Sequence, residues 1–224
     1  MSIILNIDTS IETASVSIAM DGMIQAHLIN TIQKEHASFL HNAVKQLLAE
    51  SSLDIKQMDA IAVTNGPGSY TGLRVGMASA KGFCYALNKP LITICTLNAL
   101  AVAVINASKE AFSETTLFCP MIDARRMEVY TAVFDKNMVE ILSPCAMILD
   151  ERSFEETLQK NRIFFAGTGA AKWSNIIRSE NAEFINELDI TTAISILSFE
   201  KFLTNDFTGL TYSEPLYIKD FFSP

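Results

Sequence analysis

These 224 residues prescribe an α/β chain in which one plan is used twice. Short β-branched runs alternate with helix-period runs along its whole length. The opening IILNIDTSIETASVSIAMDGM returns at an offset of 114–115 residues within TLFCPMIDARRMEVYTAVFDKNM, where Ile122-Asp123 matches Ile7-Asp8 and VYTAVFDK matches SVSIAMDG. With 49% apolar and 19% charged residues, each copy has enough apolar surface for a packed core.

Taken in order, SIILNID is a short buried strand, and TASVSIAMDG alternates up to Asp21-Gly22, a strong hairpin signal leading into MIQAHLINT. Three antiparallel strands therefore open the chain. KEHASFLHNAVKQLLAESS places Phe39, Leu40, Ala43, Val44, Leu47 and Leu48 on one face of an amphipathic helix. MDAIAVTNG is then a strand, TGLRVGMASAKGFCYAL a helix, PLITIC a strand, and TLNALAVAVINAS an apolar, buried helix. The polar link NASKEAFSETT, residues 106–116, marks a boundary, so the expected domains are 1–108 and 109–224. The second is shorter and less regular. After its repeated strands it holds DERSFEETLQKN, a helix for Asp150 or Ser153 to cap, and the strand RIFFA. Gly167-Thr168-Gly169-Ala170 then opens a helix around Trp173, and TTAISILSFEKFL and a tail, YSEPLYIKDFFSP, complete the chain.

Charge and composition exclude several function classes. A net charge of -8, with no Lys/Arg-rich run, repels a phosphate backbone, so nucleic acid is expected to be held mainly by another protein. Cys84, Cys95, Cys119 and Cys145 form no CxxC pair and sit in apolar stretches, as reduced thiols do. MSIILNIDTS lacks the basic region of a signal peptide, and no apolar run reaches membrane length, so the expected location is the cytoplasm.

NGPGSYTGLRVG, residues 65–76, holds four of the chain's 9 glycines between a strand and a helix, where backbone N–H groups collect anions. Yet Gly66, Gly68 and Gly72 read GxGxxxG, and Leu73-Arg74 stands where a phosphate loop needs Lys-Ser/Thr. The stronger reading is close packing: Gly72, Gly76 and Ala80 recur every four residues, so a helix can approach that face, and Gly76 and Gly82 weaken the helix by about 1 kcal/mol each unless nearness is needed. The plainer alternative is that this face packs on its own sheet. Asp8 and Asp123 each end a strand, where carboxylates can hold magnesium across a cleft or simply make an Asx turn with Thr9 and Ser10. Gly167, Thr168 and Gly169 form a small turn able to admit a flat ring such as adenine. His36 and His41, five apart, lack HxxxH spacing, and Arg125-Arg126 reads as a solvated turn. No catalytic constellation and no metal site emerges.

ILNIDTSIETASVSI, NGPGSYTGLRVGMASAKGFCYALNKPL, AGTGA and EPLYIK together resemble the bacterial TsaB family over nearly the whole chain. Family members typically read GPGSFTGLRIG in the middle motif, so Tyr70 and Val75 are mild variants, and Lys219 stands where an arginine is usual. The resemblance implies the ASKHA fold, the duplicated architecture of actin, Hsp70 and sugar kinases. It also implies a non-catalytic partner of the TsaD-type transferase, joined by a TsaE-type ATPase. The catalytic member transfers a threonylcarbamoyl group to N6 of adenosine 37 in tRNAs reading ANN codons. On this reading Leu40, Val44, Leu47, Gly72, Leu73, Gly76, Met77 and Ala80 face the transferase, or a second copy when the transferase is absent. Gly76→Leu is then expected to break pairing and leave the monomer folded. Asp8, Thr9, Ser10, Asp123, Gly167, Thr168 and Gly169 are the candidate nucleotide cleft, with Mg-ATP or ADP in or beside it in the assembled complex. The competing reading is an active ASKHA ATPase or phosphotransferase using those same residues. A peptidase ranks below both, for no nucleophile and base stand together.

Overall fold

The computed structural model describes residues 1–32, 35–108, 111–186 and 188–219. Lys34 at the expected start of the first helix, Lys109 and Glu110 in the polar link, and residues 220–224 of the tail lie outside them. The opening meander is β1 (Ile3–Asp8), β2 (Ala14–Met20) and β3 (Met23–Asn30), antiparallel throughout. Its second hairpin turns at Asp21 and Gly22 with φ of 49° and 80°, the left-handed pair that Asp-Gly accepts at low cost. α1 (His36–Glu50), β4 (Ala60–Gly66), α2 (Tyr70–Leu87) and β5 (Leu91–Cys95) follow. The sheet order is β3-β2-β1-β4-β5, with β1–β4 and β4–β5 parallel.

Strand alternation decides which side of this sheet is apolar. Leu5, Ile7, Val16, Ile18, Ile61 and Val63 share one core with Leu40, Ala43, Val44 and Leu47 of α1 and Met77, Ala80 and Cys84 of α2. Each fully buried leucine there contributes about 1.5–3 kcal/mol. Residues of the other parity include Asn6, Asp8, Ser17 and Thr64, all buried.

The second sheet contains β6 (Thr116–Asp123), β7 (Glu128–Asp135), β8 (Glu140–Ile148), β9 (Arg162–Ala166) and β10 (Ala182–Ile185). Its order, β8-β7-β6-β9-β10, repeats the first, again with an antiparallel meander followed by two parallel strands. This is the duplicated ASKHA arrangement. The remaining helices are α3 (Thr96–Ala107), the short α4 (Glu155–Leu158) and α5 (Ala170–Trp173), and α6 (Ile190–Leu203). An aromatic knot of Phe154, Phe165, Trp173 and Phe184 fills the core beneath the short helices, with the Phe165 and Trp173 rings 4.9 Å apart and 72° inclined. Asp150 and Ser153 do not cap α4: they bond each other at 2.9 Å, and the cap position is Phe154.

A single cut at 108 does not describe the two compact units. One comprises Met1–Thr96 with Thr191–Leu216, the other Leu97–Ile190 with the chain from Tyr217 on. The cause is packing. On α6, Ser195 Oγ donates to the Gly22 carbonyl at 2.8 Å and Phe199 lies against Gly22, while Leu100 of α3 packs at Gly167 in the second unit. Beyond α6, Thr208 N donates to the Leu91 carbonyl at 2.8 Å on the edge of β5. Among the described residues no helix is long and apolar enough to cross a membrane.

Candidate functional site

The glycine stretch after β4 is filled by the protein's own chain. A Cβ on Gly68 would lie 2.1 Å from the Ser10 carbonyl oxygen, one on Gly72 would lie 2.0 Å from the Thr9 carbonyl oxygen, and one on Gly76 would lie 2.4 Å from Thr9 Oγ1. Thr9 Oγ1 in turn donates to the Gly72 carbonyl at 2.7 Å, and Ser69 N donates to the Ser10 carbonyl at 2.7 Å. Gly66, at φ 114°, faces the returning tail, where Leu216 N donates to the Asn65 carbonyl at 2.6 Å. At the start of α2 the Ser69 hydroxyl accepts from Gly72 N, an ordinary N-cap. The glycines therefore let the β1 turn and the tail approach α2. They do not form a phosphate cradle.

That close approach corrects the expected partner surface. Leu40, Val44, Leu47, Gly72, Leu73, Gly76, Met77 and Ala80 are all buried inside the first unit. Gly76 is closed off by Thr9 within the same chain, so Gly76→Leu cannot spare the monomer. The opposite face of the same helices is open. Ala78, Gly82 and Ala86 are exposed at the same spacing of four, nothing lies within 4 Å of a Cβ placed on Gly82, and Tyr85 is 83% exposed beside them. Alongside, His41 of α1 packs its ring 5.7 Å from Phe83 and sits 3.3 Å from Ser79 Oγ. The signal for this outer stripe was present in the spacing, which marks two small-residue faces of α2 equally well. Only the burial of Thr9 against one of them separates the two.

The candidate nucleotide residues are explained within their separate units. Asp8 Oδ1 accepts from Ser10 N at 2.9 Å, Ser10 Oγ at 2.6 Å and Thr64 Oγ1 at 2.6 Å, while Oδ2 is buried with no hydrogen-bond partner among the described residues. Burial dominates and raises the Asp8 carboxyl above its ordinary range, against the pull of those three bonds and the charge of His36. Asp123 is different: it is half exposed, and its Oδ1 accepts from Arg125 N at 2.6 Å and from Lys172 Nζ at 2.7 Å. Partial burial works to raise it, but the Lys172 hydrogen bond, the Arg125 N–H and the Lys172 charge together hold it below its ordinary range.

Gly167, at φ 95°, would put a Cβ 2.5 Å from the Met121 carbonyl oxygen, and Gly169 would put one 2.7 Å from Val129 Cγ1. Thr168 Oγ1 accepts from Asp123 N at 3.1 Å. This turn admits its own β6 strand where an adenine was expected. The residues present thus do not fit a magnesium nucleotide: one carboxylate is bonded inward and protonation-prone, the other is held by a lysine, and the glycine gaps are occupied. His36 is buried with Nε2 3.0 Å from the Glu12 carbonyl, apart from the exposed His41. Among the described residues no three His, Cys, Asp or Glu side chains gather as metal ligands. All four cysteines are free, and burial pushes the Cys84 and Cys119 thiols up to about 12, far from nucleophilic use.

Comparison with known proteins extends beyond these residues. A family model described as TsaD, tRNA N6-adenosine threonylcarbamoyltransferase, matches residues 26–198. A Haemophilus influenzae protein named tRNA threonylcarbamoyladenosine biosynthesis protein TsaB is 28% identical over 97% of this chain and 93% of its own length. The Bacillus subtilis protein of the same name is 32% identical over 73% of this chain and 70% of its own length. Among solved structures, a Pseudomonas aeruginosa protein described as similar to peptidase YeaZ superposes with a TM-score of 0.78 at 25% identity, covering 98% of this chain and all of that one.

Proposed function

Because this chain belongs to the TsaB family and carries a TsaD-type domain over residues 26–198, we propose that it binds and activates a TsaD-type transferase without turnover of its own. The reaction served is N6-threonylcarbamoylation of adenosine 37 in tRNAs reading ANN codons, and a TsaE-type ATPase joins the pair in the larger complex. The observation that carries the partner reading is the exposed Ala78-Gly82-Ala86 stripe on α2. A glycine in mid-helix weakens that helix by about 1 kcal/mol, and Gly82 repays nothing inside the monomer. A small-residue stripe beside Tyr85 and His41 suits a helix of another chain packing closely, which makes the outer face of α1 and α2 the docking face. The same face serves a second copy of this chain when the transferase is absent.

The reading of the chain as non-catalytic rests on chemistry. The buried thiols, the separated histidines and the glycine turns filled by the chain itself leave no activated nucleophile and no nucleotide cradle among the described residues. Transfer RNA is held mainly by the transferase, since the chain carries 17 Lys and Arg against 25 Asp and Glu. Size-exclusion co-elution with the transferase tests the pairing. Wild type is expected to co-elute and Gly82→Arg to elute separately while keeping the wild-type far-UV spectrum. Undiminished co-elution of Gly82→Arg removes the outer face from the proposal.

A further inference from the structure

A local surplus of positive charge on so acidic a chain needs a cause, and one stands at the β6–β7 hairpin of the second unit. Two carboxylates, Asp123 and Glu128, flank its turn. Each is held by a lysine from a distant segment: Lys172 Nζ lies 2.7 Å from Asp123 Oδ1, and Lys219 Nζ lies 2.6 Å from Glu128 Oε1. Lys172 also donates to the Glu128 carbonyl at 2.6 Å. Asp150, next to Leu149, whose N donates to the Met127 carbonyl, is bonded to Ser153 Oγ and Arg152 N, both at 2.9 Å. The two carboxylates that flank the turn are thus each paired with a lysine.

The tip itself carries Arg125 and Arg126, both exposed, and among the described residues neither guanidinium makes an ion pair or hydrogen bond. Their φ values are 75° and 52°, the left-handed region that turns normally give to glycine, asparagine or aspartate. The hairpin bonds Arg125 N to Asp123 Oδ1 and Glu128 N to the Arg125 carbonyl hold the two arginines in this strained region, and strained exposed residues gather where a ligand is met. Both side chains are exposed, so a free phosphate ion would be held there largely in open solvent. A polyanion does better there, since it offers successive phosphates and releases counterions on contact.

Resting on the reading that this chain works in a tRNA-modifying complex, we infer that Arg125 and Arg126, with Lys172 and Lys219 holding the flanking carboxylates, form a contact for the phosphodiester backbone of the RNA substrate. The transferase remains the main RNA holder; the hairpin adds one or two phosphate contacts from this chain. No Lys/Arg-rich run announces it because the cations come from three separate segments.

The test is affinity of the assembled complex for an unmodified ANN-reading tRNA across a salt series, with wild-type chain, with R125Q/R126Q, and with R125N/R126G. Both variants are expected to bind tRNA roughly 3- to 30-fold more weakly near 0.1 M salt, with the slope of log K against log salt smaller by about 1–2. Pairing with the transferase should be unchanged. R125N/R126G should also melt no lower than wild type, because it relieves the left-handed strain, and so separates lost contact from lost fold. Equal affinity and equal slope in a working complex overturn the inference alone. A wild-type complex that neither forms nor modifies tRNA overturns the underlying reading and the inference with it. If inorganic phosphate raises the melting temperature of the isolated wild-type chain but not of R125Q/R126Q, while tRNA affinity is the same for both, the tip is a free-anion site and the RNA assignment falls.

Discussion

At the scale of single residues, the glycines of α2 divide by what a methyl group would meet. Gly72→Ala should lower stability by about 2–4 kcal/mol, because the new Cβ falls 2.0 Å from a backbone oxygen that the β1 turn cannot easily move. Gly82→Ala should instead raise stability by about 1 kcal/mol, since its site is open and alanine favours the helix. Chemical denaturation of the two variants checks both signs together; a stabilised Gly72→Ala contradicts the packing described here. Asp8 gives a pH signature. Its folded carboxyl titrates above the unfolded one, so the stability linked to its protonated form is complete below the ordinary aspartate range and is lost as pH rises through the folded value. Asp8→Asn, which keeps an acceptor for Ser10 and Thr64, should therefore gain on wild type in melting temperature as the pH rises above the ordinary aspartate range. Asp123→Asn should behave oppositely, wild type keeping its advantage at neutral pH and losing it as the pH falls. A difference between wild type and Asp8→Asn that does not change with pH contradicts the burial assigned to that carboxyl.

At the scale of elements, periodicity located β1 to β5 and the two long helices well, because each has a long run of one period and clear turn residues at its ends. It missed β8, which carries Pro144 and lies at a sheet edge where half-exposed residues blur the alternation, and β10, whose four residues are too few for a period to register. Periodicity also cannot say which of two similar faces is inside. α2 has small residues at 72, 76 and 80 and again at 78, 82 and 86, and only the tertiary position of Thr9 makes the first set core and the second set surface. The same limit applied to Gly167 and Gly169, whose turn is legible in the sequence but whose occupant, the β6 backbone, is not. α1 offers a control for the packed face: Leu47→Ala should cost about 2–5 kcal/mol while leaving the outer surface intact, read as a lower denaturation midpoint with unchanged pairing at temperatures where it is folded.

At the scale of the whole molecule, duplication is written in the sequence and in both sheets, but the division into units is not, because α3 and α6 each pack with the unit opposite to the one their sequence position suggests. The turns at Gly68, Gly72, Gly167 and Gly169 are filled by the chain's own backbone and side chains, which supports the proposed partner role. An ASKHA chain so filled is suited to shaping a partner. The most direct measurement is threonylcarbamoyl transfer to unmodified ANN-reading tRNA in a mixture of the transferase, the ATPase and the adenylate-forming enzyme from the same organism, with wild-type chain, with Gly82→Arg, and without the chain. The account predicts modification with wild type, at least about tenfold less with Gly82→Arg or without the chain, and none from the chain alone. Equal modification with and without the chain would contradict it.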